Sequence, residues 1–268
     1  MYNFDMAKEY WEDRISCGNC SINNVLSLGE KELINVYYDI WEKRIIGNFI
    51  GDVSNKEVLD VPCGSGRWTI DLAKKAKEVT AVDLSEKILR LVRKRANVEN
   101  LNNIAYYEND IQEINQLNSK YDIILCTGLY EHLPESIYTE LTANLAGLLR
   151  QRGKIIIVIN NENNNYLYDR RDNKYRKGYQ LENGYICGVT RGKKVIDKLV
   201  ENNINVVNYA INSIFSCVRK QMKNSNDTDL LCKCLDSAIE LDCKMFANLS
   251  DYKSVVADQI IIMGEKDE

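Results

Sequence analysis

Residues 58–67, Val-Leu-Asp-Val-Pro-Cys-Gly-Ser-Gly-Arg, constrain this chain more than any other stretch. An apolar run ends at Asp60, a turn built on Gly64 and Gly66 follows, and a helix begins near Arg67. A strand that feeds a Gly-x-Gly turn and then a helix brings backbone close to a ligand at the strand's carboxyl end, as nucleotide-binding α/β folds do. A dinucleotide site would want a third glycine where Thr69 stands, and a phosphate-gripping loop would want Lys-Ser/Thr where Arg67-Trp68 stands. Both phosphate readings are weak, which leaves a nucleoside. A second apolar stretch, Val79-Thr-Ala-Val-Asp83, ends in a carboxylate able to accept both hydroxyls of a ribose.

From Glu57 onward strand and helix patterns alternate, as a parallel sheet with crossover helices requires. The patterning predicts strands near 57–61, 79–83, 104–108, 121–126 and 154–159, and helices near 67–76, 86–98, 135–149 and 191–202. Upstream, residues 5–15 and 29–46 have helical spacing; downstream, 206–214 and 258–264 are candidate closing strands, separated by a helix over 228–248.

With these elements in place, Asp60-Val-Pro-Cys-Gly-Ser-Gly resembles the first motif of class I S-adenosylmethionine-dependent methyltransferases, usually Asp/Glu-x-Gly-x-Gly-x-Gly, with Pro62 replacing its first glycine. The resemblance covers roughly residues 55 to 160. It implies a Rossmann-like, seven-stranded, mostly parallel α/β sheet with helices on both faces and the final strand antiparallel, and S-adenosyl-L-methionine as cofactor. Asp60 would orient the methionine amino group, and Gly64 and Gly66 would permit close approach. Asp83, with Leu84 beside it, would hold the ribose; Asp110 would take the adenine amino group while Ile111 packs on the ring. Thr127 would line the cofactor after the fourth strand. Tyr10 and Arg14, on the first helix, would meet the methionine end as part of a lid.

The segment Thr127-Gly-Leu-Tyr-Glu131-His132-Leu-Pro134 resembles the family's Glu-His-Leu stretch, and it is not the Asn/Asp-Pro-Pro-Tyr that marks methylation of adenine or glutamine amides. His132, the single histidine, is the candidate base, because a free imidazole titrates near neutrality. Alternatively it braces the loop, since transfer from a sulfonium needs mainly alignment and desolvation. Glu131 or a tyrosine could equally orient an amine.

At 268 residues the chain accommodates one methyltransferase domain over 51–268, preceded by a helical lid over 1–50. Two insertions are expected, at about 161–189 and 216–255. The first holds Tyr166, Tyr168, Arg170, Arg171, Tyr175 and Arg176, suited to an anion, a ring or a cation. The second would cap the pocket or form a homodimer contact. With 39 acidic and 35 basic residues the formal charge is -4, and no basic block suggests nucleic acid. No charged leader and no long apolar run is present, so a cytoplasmic protein off the membrane is expected. Nine scattered cysteines fit a reducing compartment. Cys17-Gly-Asn-Cys20 has metal spacing without two further ligands, and no metal is expected.

The expected function is methyl transfer to an oxygen or nitrogen of a small metabolite or short peptide. The rivals are an RNA or protein methyltransferase and a non-catalytic cofactor-binding partner subunit.

Overall fold

A computed structural model of the chain describes residues 3–16, 32–162, 168–169, 174–175, 179–180, 186–247 and 257–268. Two helices come first, α1 (Phe4–Ser16) and α2 (Glu32–Ile50). The alternating unit follows: β1 (Glu57–Asp60), α3 (Arg67–Ala73), β2 (Glu78–Asp83), α4 (Glu86–Val98), β3 (Ile104–Glu108), β4 (Tyr121–Thr127), α5 (Glu135–Leu148) and β5 (Leu149–Asn160). Four two-residue strands, β6 (Tyr168–Asp169), β7 (Lys174–Tyr175), β8 (Tyr179–Gln180) and β9 (Ile186–Cys187), pair as two antiparallel ribbons. The chain closes with α6 (Gly192–Glu201), β10 (Ile204–Ile211), α7 (Ser213–Asn224), α8 (Thr228–Asp242), β11 (Phe246–Ala247) and β12 (Gln259–Lys266).

The main sheet has the order β11-β10-β12-β5-β4-β1-β2-β3. β1 through β5 are mutually parallel where they pair, and β12 runs antiparallel to both β5 and β10. The expected seven strands are present with their antiparallel closing strand, and the short β11 adds an edge beyond β10. β1 sits between β2 and β4, with Val58 and Leu59 buried on its two faces, and so carries apolar residues at successive positions between Glu57 and Asp60. One face packs on α5 and α6 through Leu141, Leu145, Val195 and Leu199; the other packs on α2, α3 and α8 through Trp41, Ile45, Leu72 and Leu235.

The amino-terminal end of the sheet is tied by charge. Arg150 reaches Glu57 at 2.5 Å and Asp122 at 2.8 Å, and Lys77 reaches Glu57 at 2.5 Å. These cations hold the Glu57 carboxyl at a pKa of about 2. The carboxyl-terminal end is left for the glycine turn and the loops.

Two boundaries depart from the sequence reading. Residues 206–214 do not form one strand: β10 stops at Ile211 and α7 starts at Ser213. The buried Asn212 makes the break, its Oδ1 accepting the Gln259 amide at 2.8 Å. α8 ends at Asp242, short of residue 248, because Phe246–Ala247 pairs with β10. Asp242 itself accepts the Ile214 and Phe215 amides and the Tyr37 hydroxyl, and Asp258 accepts from Tyr38, Ser216 and Arg219. Two buried carboxylates therefore clamp the late helices onto α2. Among the described residues no helix is long and apolar enough to cross a membrane.

Candidate functional site

The glycine turn is fixed from two sides. The Cys63 amide donates to the Val82 carbonyl at 2.8 Å, and Arg95 of α4 donates to the Ser65 carbonyl. Gly64 and Gly66 both have positive φ, +49° and +79°, where a side chain is strained. Their surroundings differ. A Cβ on Gly64 would meet nothing within 4 Å, so its backbone faces open space, whereas one on Gly66 would lie 2.8 Å from the Val92 Cγ1 of α4. The close approach at Gly66 is thus to a helix, and the open shelf belongs to Gly64. Pro62 is half-buried at the start of the turn.

Asp60 ends β1, buried, with the Thr69 hydroxyl donating to it at 2.6 Å. Burial pushes its pKa up to about 7 against that bond and the nearby Arg67. Asp83 ends β2. Its Oδ2 accepts the Gly64 amide at 3.0 Å and its Oδ1 the Ser85 amide at 3.2 Å, with the Leu84 amide a third backbone donor to the carboxylate. Burial raises Asp83 to about 6, opposed by those amides. Leu84 beside it is half-buried. At the end of β3, Asp110 caps the 3-10 turn Ile111–Gln116, its Oδ1 accepting the Gln112 amide at 2.9 Å, while Ile111 is buried. One oxygen of Asp110 is therefore committed to its own turn.

α1 lies across this end of the sheet. Lys8 pairs with Glu108 at 2.8 Å, and the Ser85 hydroxyl donates to Glu12. Trp11 meets the His132 ring edge-on, with centroids 5.3 Å apart. The Arg14 guanidinium sits 4.9 Å over the Trp11 ring and donates through Nη1 to the Tyr10 hydroxyl at 3.1 Å. Its Nε and Nη2 are buried without a hydrogen-bond partner. Among the described residues these two cation donors are left without an acceptor.

β4 delivers Thr127, half-buried and paired with Val158 of β5, and then Gly128 at φ +67°. The 3-10 turn Tyr130–His132 follows. His132 is buried, its amide donating to Leu129. Glu131 was expected only as an alternative to His132, yet its Oε2 is buried with no partner, and burial raises its carboxyl to about 7. The structure thus gathers Tyr10, Arg14, Thr127 and His132 at one end of the sheet, and Asp60, Gly64 and Asp83 beside them. The Glu12–Ser85 contact had no sequence signal, because nothing local links residues so far apart. Cys17, Cys20, Tyr166, Arg170, Arg171 and Arg176 lie outside the described residues, and among those described no His, Cys, Asp and Glu cluster is arranged to hold a metal.

A glycine turn after the central strand, a buried acid at the end of the next, and an antiparallel closing strand form the arrangement that the sequence resemblance implied. The comparisons agree: residues 58–153 match the model of the methyltransferase domain family. Over residues 58–153 the chain therefore matches a methyltransferase domain, the type that its glycine motif resembles. A ubiquinone biosynthesis O-methyltransferase of Coxiella burnetii is 36% identical over 117 residues, 43% of this chain and 49% of that protein. The chain thus spans about half the length of the curated relatives it matches. In fold it resembles the magnesium protoporphyrin IX methyltransferase of Synechocystis PCC 6803 solved with S-adenosylhomocysteine, at TM-score 0.64 and 14% identity, covering 99% of this chain and 100% of that one. It also resembles the N-methyltransferase NodS of Bradyrhizobium japonicum WM9 with the same ligand, at TM-score 0.60 and 14% identity, covering 98% and 100%.

Proposed function

We propose that this protein uses S-adenosylmethionine to methylate an oxygen or nitrogen of a small metabolite or short peptide. The observation that carries the reading is the Asp83 carboxylate, seated on the Gly64 amide beside a glycine whose missing side chain opens onto space. The residues fit the cofactor. Asp83 accepts ribose hydroxyls through its remaining lone pairs. Arg14 supplies two unpartnered donors for the methionine carboxylate, and Asp60 offers a buried acceptor on the amino-group side. Asp110 and Ile111 bound the adenine end, with Leu84 and Pro62 packing against the nucleoside and Thr127 lining it from β4.

When bound, the cofactor supplies a methyl group made electrophilic by its sulfonium. The chain's own part is to align the acceptor, exclude water and accept a proton. α1, as part of a lid over 1–50, closes the methionine end through Trp11 against His132. His132 serves to brace the acceptor loop or to take the proton. The domain proper runs from residue 51, with its specificity elements at about 161–189 and 216–255. The acidic balance of the chain favours a small acceptor over nucleic acid, and buried thiols without a disulfide at Cys63 and Cys126 fit the cytoplasm. A homodimer is a further use for the late helices.

Calorimetric titration with S-adenosylmethionine tests the reading. Wild type should bind saturably, Asp83→Ala should lose at least about 30-fold in affinity, and Asp83→Asn should fall between them because an amide accepts through one atom only. A folded wild-type protein that binds neither the cofactor nor S-adenosylhomocysteine would overturn it.

A further inference from the structure

Glu131 stands where β4 opens onto the site, in the turn Tyr130–His132. Its backbone is held from the far side, since the Gly188 amide donates to its carbonyl at 2.7 Å. Its side chain is the anomaly: the carboxyl accepts from its own amide, yet Oε2 is buried and has no hydrogen-bond partner among the described residues. An acceptor oxygen sealed from water without a donor is costly unless a ligand supplies one. Arg14 reaches the same end of the site through Trp11, and Trp11 meets His132, but neither that guanidinium nor the imidazole donates to this oxygen. Glu42 of α2 adds a second negative field, although Arg67 of α3 pairs with it at 2.5 Å.

Resting on the methyltransferase reading above, we propose that Glu131 is the residue that recognises the methyl acceptor, and that the acceptor is an amine presented as its ammonium. A neutral hydroxyl would supply a donor without charge, and its alkoxide or phenoxide would bring a like charge to the carboxylate, whereas an ammonium supplies both the missing donor and the opposite charge. One ammonium proton passes to the Glu131 carboxylate and frees the nitrogen lone pair. That pair forms the new nitrogen–carbon bond as the carbon–sulfur bond breaks with its electrons left on sulfur, and the net reaction releases one proton. Burial of Glu131 raises its carboxyl towards neutrality, which suits it to hold that proton briefly.

The test needs no knowledge of the acceptor. Sinefungin is the cofactor analogue in which a carbon bearing an amine replaces the methylated sulfur, so its ammonium sits where the methyl meets the acceptor. Calorimetry at pH 8 compares sinefungin with S-adenosylhomocysteine on wild type, Glu131→Gln and Glu131→Asp. Wild type should favour sinefungin about tenfold or more, the size expected of a charge-assisted buried contact. Glu131→Gln should reduce that ratio to within about threefold of unity while its S-adenosylhomocysteine affinity stays within about threefold of wild type, which also certifies its fold. Glu131→Asp should keep an intermediate preference. Wild type that binds S-adenosylhomocysteine without preferring sinefungin overturns this proposal and leaves the methyltransferase reading standing, as does an equal preference in Glu131→Gln. Wild type that binds neither ligand overturns both.

Discussion

At the scale of single residues, the two glycines of the turn look alike in sequence and do different things. Gly66 combines φ +79° with a Val92 methyl 2.8 Å from where a Cβ would stand, and Val92 is buried and stiff at χ1. Gly66→Ala therefore adds overpacking to backbone strain and should cost about 2–4 kcal/mol. Gly64→Ala carries the strain alone, about 1–2 kcal/mol, but puts a methyl into the open space where the proposed cofactor would approach. Thermal melts should rank Gly66→Ala below Gly64→Ala, while calorimetry with S-adenosylhomocysteine should show the larger affinity loss in Gly64→Ala relative to its stability change. Identical behaviour of the two variants would refute the division of labour. Strand-ending acids were readable in the sequence for a physical reason: Asp60 and Asp83 each close an apolar run at a place where chain direction fixes the ligand side. Glu131 was readable only as one alternative to His132, because which of its oxygens the packing leaves buried is a tertiary fact.

At the scale of elements, α2 shows how a helix outside the alternating unit controls the site. Arg67, the first residue of α3, bonds Glu42 at 2.5 Å and Asp39 at 3.0 Å, both on α2. Asp39 keeps Lys43 if Arg67 is removed, but the Glu42 side chain is only 2% exposed. Arg67→Ala should therefore destabilise the fold by about 3 kcal/mol, chiefly by stranding the Glu42 charge, and Arg67→Met with Glu42→Leu should recover most of that loss. Denaturant melts of the three proteins decide it; a double variant no better than Arg67→Ala would mean that packing, not charge, joins the helices. β2 and β4 were readable because burial on both faces writes them largely as apolar runs, whereas the edge strand β3 is half-exposed throughout. α7 was hidden because no glycine or proline separates it from β10, and Ile214 and Phe215 extend the apolar pattern. Only the buried Asn212 and the Asp242 cap on the Ile214 and Phe215 amides turn the chain there.

At the scale of the whole molecule, the site is an electrostatic load on the fold. Asp60 and Glu131 have pKa values near 7 and Asp83 near 6, each raised above the ordinary carboxylate range by burial. A raised acid binds its proton more tightly folded than unfolded, so its neutral form favours the fold. Stability should then fall as pH climbs from the unfolded value near 4 to about 7, and level off above. Glu57 acts oppositely: held at about 2 by Lys77 and Arg150, it stabilises above the unfolded value and loses that contribution as pH drops towards 2, though its exposure at the sheet's edge keeps the contribution small. The ligand-free protein should thus be most stable in mildly acidic solution, with a melting temperature several degrees higher at pH 5.5 than at pH 8. Asp60→Asn, which removes one such carboxylate and leaves an amide that can still accept from Thr69, should melt with a visibly smaller difference between the two pH values. A wild-type melting temperature that rises steadily from pH 5.5 to pH 8, or an Asp60→Asn slope equal to wild type, would show that the buried acids do not govern stability. Saturating S-adenosylmethionine, which brings a sulfonium and an ammonium to this end of the sheet, should raise stability more at pH 8 than at pH 5.5, because only the ionised carboxylates gain from those charges.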